Sequence, residues 1–371
     1  MSQLLSLLGH DADSAQSLEA IPQVLRDQVA ADVVCPSCGV GGAKMVQAGR
    51  NRKTGSPVSQ AHFRFQSNAG GNAHDPLCDF YDDRAGNKGG DHLIDFRSAR
   101  SELTRLVGRL VCRGIALELF SQQTMRDMRQ WFLGVRRANQ VLILDVAEKV
   151  EWCTRVIALR GVGSGDVAFQ PAFAEMPNFN WKAEARRRVE GWHQASFNLI
   201  HGHFGAFFAK GSLSRIQALA RIYEGVPFFD VRVLADKYQA TIALARFMCS
   251  QLDLDRSLWV DLHRYKTPAP SVAAMVAFSA LLLYISEWDP AKAAELFVRI
   301  AVSDWPFDPL AGNLIGLNPF HDFLAWEAIM IASEVCMLRI SEESMDSLLL
   351  RAEAELRQEH EAWLRVTGGF R

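Results

Sequence analysis

The chain has 371 residues, 49% of them apolar and 22% charged, and its 40 basic and 42 acidic residues leave a net charge of −2. That balance is ordinary for a folded, core-forming protein. It excludes a wholly disordered, collagen-like or coiled-coil chain, and the length allows two or three domains. With no global basic excess, any attraction to nucleic acid or anionic lipid must come from a local patch.

The first residues, MSQLLSLLGHDADSAQ, have no basic n-region, and their apolar run is too short for a signal peptide. Residues 1–31 read as a leader with one amphipathic helix, about Ser17 to Ala30. Residues 32–92 change in texture: they are rich in Gly, Asn, Asp and Ser and poor in Leu. Strand-like pieces lie there at Lys44–Val46 and Ala61–Phe65. In the second, alternation puts His62 and Arg64 on one face and Phe63 and Phe65 on the other.

From Leu93 onward the pattern is helical. Leu103, Leu106, Val107, Leu110 and Val111 recur at three- and four-residue steps, as one helix face requires. Further helices are expected at about 121–135, 142–159, 181–209, 213–223, 231–250, 271–287, 290–302, 320–339 and 342–366. Ser121 and Ser341 carry the residue type of an N-cap. Residues 93–160 read as a basic helical segment, 161–180 as a Gly- and Pro-punctuated linker, and 181–371 as an α-helical domain.

The stretch Thr267–Ser286 has no charge. Pro268 and Pro270 occupy its start, leaving roughly 16 usable residues against the ~20 that cross a bilayer. It reads as a buried central helix, and no membrane contact is expected. No internal repeat is visible, and no run of alternating strands follows residue 92. No Walker motif, GxSxG or GxGxxG stands in a suitable context. The expected fold is mainly α, with a small zinc-stapled β-hairpin module near the N-terminus feeding a multi-helix body.

The strongest chemical signal is Cys35-Pro-Ser-Cys38-Gly39. Two cysteines two residues apart, followed by glycine, form a knuckle that aims both sulfurs at one point, and zinc takes four ligands of this N/S type. Cys78 is the third cysteine of the segment. Two histidines compete for the fourth place. His74-x-x-x-Cys78 has a common paired-ligand spacing, whereas His62 sits on a strand that would fold back beside the knuckle. A site closed by four protein ligands is structural, with no position for a reacting water. The alternative is that the thiols are simply reduced, but a Leu-poor segment lacks a core and needs a staple. The other cysteines (Cys112, Cys153, Cys249, Cys336) fall singly in helical segments and read as small buried hydrophobes. An odd count of seven without pairing suits a reducing cytosol.

The pieces CPSCG at 35–39, HFRF at 62–65 and CDFY at 78–81 resemble the N-terminal zinc-binding region of the competence protein CoiA-like family. The resemblance covers about 50 residues and departs at Phe65, where the family often has a second histidine. It favours the ligand set Cys35, Cys38, His62 and Cys78, and it implies a bacterial competence, mobile-element or defence setting. A restriction-nuclease-like domain often follows in that family. Here the nearest match is Asp145 with Glu148 and Lys149, but Leu142, Val146 and Val150 share a four-residue step, so that run reads as a helix.

Two basic patches could meet nucleic acid. From Lys44 to Arg64 there are Lys44, Arg50, Arg52, Lys53 and Arg64 and no acid. From Arg97 to Arg137 there are nine arginines against three acids, 9 − 3 = +6, and Arg105, Arg109 and Arg113 step by four along one helix face. Such a stripe can track phosphates. It can equally be a solvated face whose stems cover apolar surface. The acidic C-terminal helix offers internal partners for arginines. Glu190-Gly-Trp-His193 has the E-x-x-H spacing of di-iron bundles, which need two copies, so His193 reads as a core histidine. His201-Gly-His203 would diverge on a helix. The functional expectation is a zinc-binding, nucleic-acid-associated protein (DNA or RNA). A protein-interaction scaffold with a purely structural zinc is the alternative, and a divergent metal-dependent nuclease the third reading.

Overall fold

The computed structural model describes residues 22–35, 37–46, 49–50, 57–59, 62–66, 71–75, 77–78, 81, 93–94, 102–159, 168–202, 212–252, 270–304, 316–317, 319–320, 322–338 and 343–368. In chain order a helix α1 (Gln23–Asp32) leads to short strands β1 (Ala43–Val46), β2 (Gly49–Arg50), β3 (Pro57–Ser59) and β4 (His62–Phe65). Helices follow: α2 (Glu102–Ala116), α3 (Gln122–Ala138), α4 (Val146–Ala158), α5 (Trp181–Trp192), α6 (Gln194–Gly202) and α7 (Ser212–Ile222). The remainder are α8 (Ala235–Gln251), α9 (Pro270–Ile285), α10 (Pro290–Ala301), α11 (Phe323–Met337) and α12 (Met345–Thr367). The fold is mainly α with a small β module near the N-terminus, as the periodicity predicts.

The chain divides into two compact units, each gathered from separate stretches. One takes Met1–Gln140, Arg232–His263 and Pro268–His321; the other takes Val141–Val231, Arg264–Thr267 and Asp322–Arg371. The cysteine-bearing module and the basic helices α2 and α3 therefore share a unit with α8, α9 and α10.

In the first unit α9 is the central element. Every residue from Val272 to Leu283 is buried, with α2, α3, α8 and α10 packed around it. Ser279, the polar residue within that buried run, donates its hydroxyl to the Met275 carbonyl at 2.8 Å, so it enters the core satisfied. Helix α2 is amphipathic in the predicted register: Leu103, Val107, Leu110 and Val111 are buried, while Arg105 and Arg109 are exposed. Helix α3 starts on a capping box, in which the Thr124 N–H donates to Ser121 Oγ at 3.2 Å and the Ser121 N–H donates to Thr124 Oγ1 at 3.1 Å.

Gly114 sits where α2 closes on Phe120. A Cβ there would lie 2.3 Å from Phe120 ring carbons and 3.3 Å from Ile300 Cδ1. Gly114→Ala should therefore lower stability by about 2 kcal/mol through overpacking, although alanine favours a helix by about 1 kcal/mol over glycine. Urea unfolding checks the sign.

The second unit is built on α4, α5, α6, α7, α11 and α12, with α11 lying on α4, α6 and α7, and α12 on α5. The helix expected over 181–209 is broken: α5 ends at Trp192, and His193 caps it through its N–H to the Val189 and Glu190 carbonyls before α6 begins. The His193 ring is 2% exposed and meets Trp152 edge-on at 5.1 Å. The start of α12 is capped by Ser344, whose Oγ accepts from the Ser347 N–H at 3.2 Å; Ser341 lies outside the described residues. Acids of α12 pair within this unit, Glu359 with Arg188 at 2.5 Å and Asp346 with Arg155 at 2.9 Å. No single helix among the described residues is long and apolar enough to cross a membrane.

Candidate metal centre

Four side chains converge in the first unit: Cys35, Cys38, His74 and Cys78, whose ligand atoms all lie within 4.8 Å of one another. The knuckle is made by backbone hydrogen bonds. The Cys35 N–H donates to the Val40 carbonyl and the Gly39 N–H to the Cys35 carbonyl, both at 2.9 Å. Gly39 supplies the left-handed backbone this turn needs, with φ +72°. The Ser37 and Cys38 N–H groups point at Cys35 Sγ, at 3.4 and 3.5 Å.

The second half is a tight loop. The His74 N–H donates to Asn72 Oδ1 at 2.9 Å, the Leu77 N–H to Asp75 Oδ1 at 2.8 Å, and the Cys78 N–H to the Asp75 carbonyl at 2.8 Å. The loop is tied to the hairpin by a bridge between Gln66 and Asn72 and by the Phe65 ring, which meets His74 edge-on at 5.0 Å. It is also tied to α3. Buried Arg136 donates to the Leu77 and Pro319 carbonyls, each at 3.1 Å, and Arg137 Nε donates to Asp75 Oδ2 at 2.8 Å.

The spacings fit an ion of the zinc type. Two thiolates about 2.3 Å from one ion at a tetrahedral angle stand about 3.8 Å apart, and a thiolate and an imidazole nitrogen about 3.5 Å apart. Cys35 Sγ and Cys78 Sγ are 3.8 Å apart, and His74 Nδ1 is 3.5 Å from Cys38 Sγ and 3.7 Å from Cys78 Sγ. The cluster also favours the thiolate form. Hydrogen bonding with Cys78 brings Cys35 down to about 4, helped by His74 and the Cys38 and Ser37 N–H groups and opposed by burial.

Among the described residues the cluster takes His74; the side chain of His62, the histidine favoured by the family resemblance, lies outside them. The strand register places the backbone of His62. β1 and β4 run antiparallel with Ala43 opposite Phe65 and Val46 opposite His62. Phe65 reaches His74, and His62 is three residues further along β4, roughly 10 Å by strand rise. The i, i+4 spacing of His74 and Cys78 was the signal that pointed to the observed pair.

The basic residues separate into two groups. Lys44 and Arg64 face each other across the hairpin and both are exposed. Arg50 lies in β2 opposite Pro57, while Arg52 and Lys53 lie outside the described residues. Arg105 and Arg109 are exposed on α2, but Arg113 is half-buried and donates to the carbonyl of Ala301, the last residue of α10, at 3.3 Å. Arg113, Arg136 and Arg137 are thus engaged within the unit.

The nuclease-like constellation takes helical form. Asp145 is the N-cap residue of α4 with φ +55°, and Glu148 and Lys149 lie in the first turns of that helix rather than on a strand. An N–H of that turn, from Ala147, is satisfied by Glu224 at 2.9 Å. His201 lies in α6, and His203 lies outside the described residues. Against family models, curated proteins and solved structures, the chain matches none.

Proposed function

We propose that the chain is a zinc-stapled nucleic-acid-binding protein, in which the metal folds the N-terminal module and the hairpin beside it meets the phosphate backbone. The cluster of three thiols and one imidazole supports zinc as the ion. Four protein ligands fill its coordination, so the metal's chemistry here is structural. The knuckle N–H groups hold Cys35 as a thiolate, the 72–78 loop aims His74, and Arg136 fixes that loop to α3. A reducing compartment keeps such thiols available.

The observation that carries the nucleic-acid reading is the cross-strand pair Lys44–Arg64, exposed and in register. Like charges directly opposite each other in a sheet are destabilising by up to about 1 kcal/mol. A polyanion laid across them reverses that sign, and Arg50, Arg52 and Lys53 extend the same acid-free stretch. Arg105 and Arg109 offer further cations in the same unit. A CoiA-like competence, mobile-element or defence setting belongs to this proposal through the CPSCG knuckle; the use of His74 departs from the pattern that suggested it.

Fluorescence anisotropy of zinc-loaded protein with labelled single- and double-stranded DNA and RNA tests the reading. Binding should weaken linearly on a log–log salt plot, and Lys44→Ala with Arg64→Ala should reduce the slope by about one per lost contact. Wild-type protein that shows no salt-dependent binding to any of these probes overturns it. A protein partner that co-purifies in place of nucleic acid then favours the scaffold alternative.

A further inference from the structure

Cys153 and Cys336, single in sequence, meet in the second unit. Cys153 lies mid-helix in α4 with no exposed surface, and Cys336 lies half-buried in the last turn of α11, which packs on α4. Cys153 Sγ is 3.8 Å from the carbonyl oxygen of Ala332, four residues before Cys336. Reciprocally, Cys336 Sγ is 3.9 Å from the carbonyl oxygen of Lys149, four residues before Cys153. A helical side chain leans over the turn N-terminal to its own Cα. Each sulfur therefore reaches the turn over which the other leans, and both occupy the same space between the helices.

We propose that Cys153 and Cys336 form an oxidisable pair that a small-molecule disulfide such as oxidised glutathione converts into an α4–α11 cross-link. Cys336 is the entry point, because it is half-buried next to exposed Met337 and Leu338 at the end of α11. Its thiolate attacks the small disulfide, forming a Cys336–glutathione mixed disulfide and releasing one glutathione. Cys153 then attacks the Cys336 sulfur, and its proton passes to the second glutathione, which leaves as the thiol. Two protein thiols are oxidised and one small disulfide is reduced to two thiols. The neighbouring Cys336 thiol and burial both push Cys153 above its ordinary range, so the second step is slow and the pair stays reduced until oxidant persists.

The test uses full-length, zinc-loaded protein, in which the metal shields Cys35, Cys38 and Cys78. The native protein is equilibrated with oxidised and reduced glutathione mixtures, free thiols are alkylated after rapid denaturation, and peptides are mapped without reduction. The expected product is a cross-linked peptide joining Cys153 to Cys336, with buried Cys249 recovered alkylated as the internal control. The oxidised protein should also unfold at higher denaturant concentration than the reduced form, because the link constrains the unfolded chain. Cys336→Ser should abolish both signals, and this rim position carries the test if Cys153→Ser fails to fold. Recovery of both cysteines as alkylated thiols overturns the proposal, as does a stable glutathione adduct on Cys336 without the cross-link.

Discussion

His74→Ala is expected to release the metal from purified protein, while His62→Ala retains about one equivalent of zinc per chain. Loss of a direct ligand should cost more than the 10–100-fold in affinity typical of an outer partner. The physical reason lies in how little else holds the module. Of its described residues, the buried apolar ones are Cys35, Ala43, Leu77 and Cys78, two of them ligands. At about 25 cal/mol per Å² of apolar area, such a set cannot offset the ordering of so many residues at more than about 1 kcal/mol each. An ion held by the four side chains would supply the difference, and folding and loading would then be one event. Metal analysis by mass spectrometry, with limited proteolysis of the module, reads the outcome. Far-ultraviolet circular dichroism should change little in the His74→Ala protein, because the helices of the first unit have their own core around α9. Equal zinc content in the two variants would refute the assignment.

Arg136→Met should destabilise the first unit by about 3 kcal/mol. Arg136 is 9% exposed and its two terminal nitrogens satisfy the Leu77 and Pro319 carbonyls. Methionine keeps an apolar stem of similar path but leaves both acceptors without this donor, at about 1–3 kcal/mol each. Lysine is no conservative substitute, because a single ammonium lacks the planar fork that spans two acceptors. Because Leu77 adjoins the ligand Cys78, zinc transfer to a competing chelator should also accelerate. Denaturant unfolding and chelator kinetics on one preparation separate this from a purely local effect. Arg137→Ala is the contrast: its bond to Asp75 is solvent-exposed, and such pairs contribute at most about 1 kcal/mol.

Much of this architecture is written in local pattern. The apolar steps of α2, the uncharged run of α9 and the cap at Ser121 are all short-range features, and each matches the observed element. What escaped the sequence depends on register or on distant partners. Alternation in HFRF fixes which face His62 takes, but not where along β1 it falls; pairing of Ala43 with Phe65 decides that. The break between α5 and α6 was invisible because Gly191-Trp192-His193 carries no proline. Three arginines of the basic stretch looked alike in sequence, yet Arg113, Arg136 and Arg137 each find acceptors contributed by other segments. Cys153 and Cys336 read as isolated because nothing local links α4 to α11.

The interleaving of the two units has a consequence for how the polypeptide matures on the ribosome. The four candidate ligands all precede α2 in the chain, so the knuckle can capture an ion while α2 to α12 are still unmade. The helical bundle beneath it must wait for α9 and α10, which follow nearly all of the helices that begin the second unit. Those helices in turn await α11 and α12. No single cleavage point yields either unit whole, and a nascent chain stalled before α9 would carry a loaded knuckle on an unfinished scaffold.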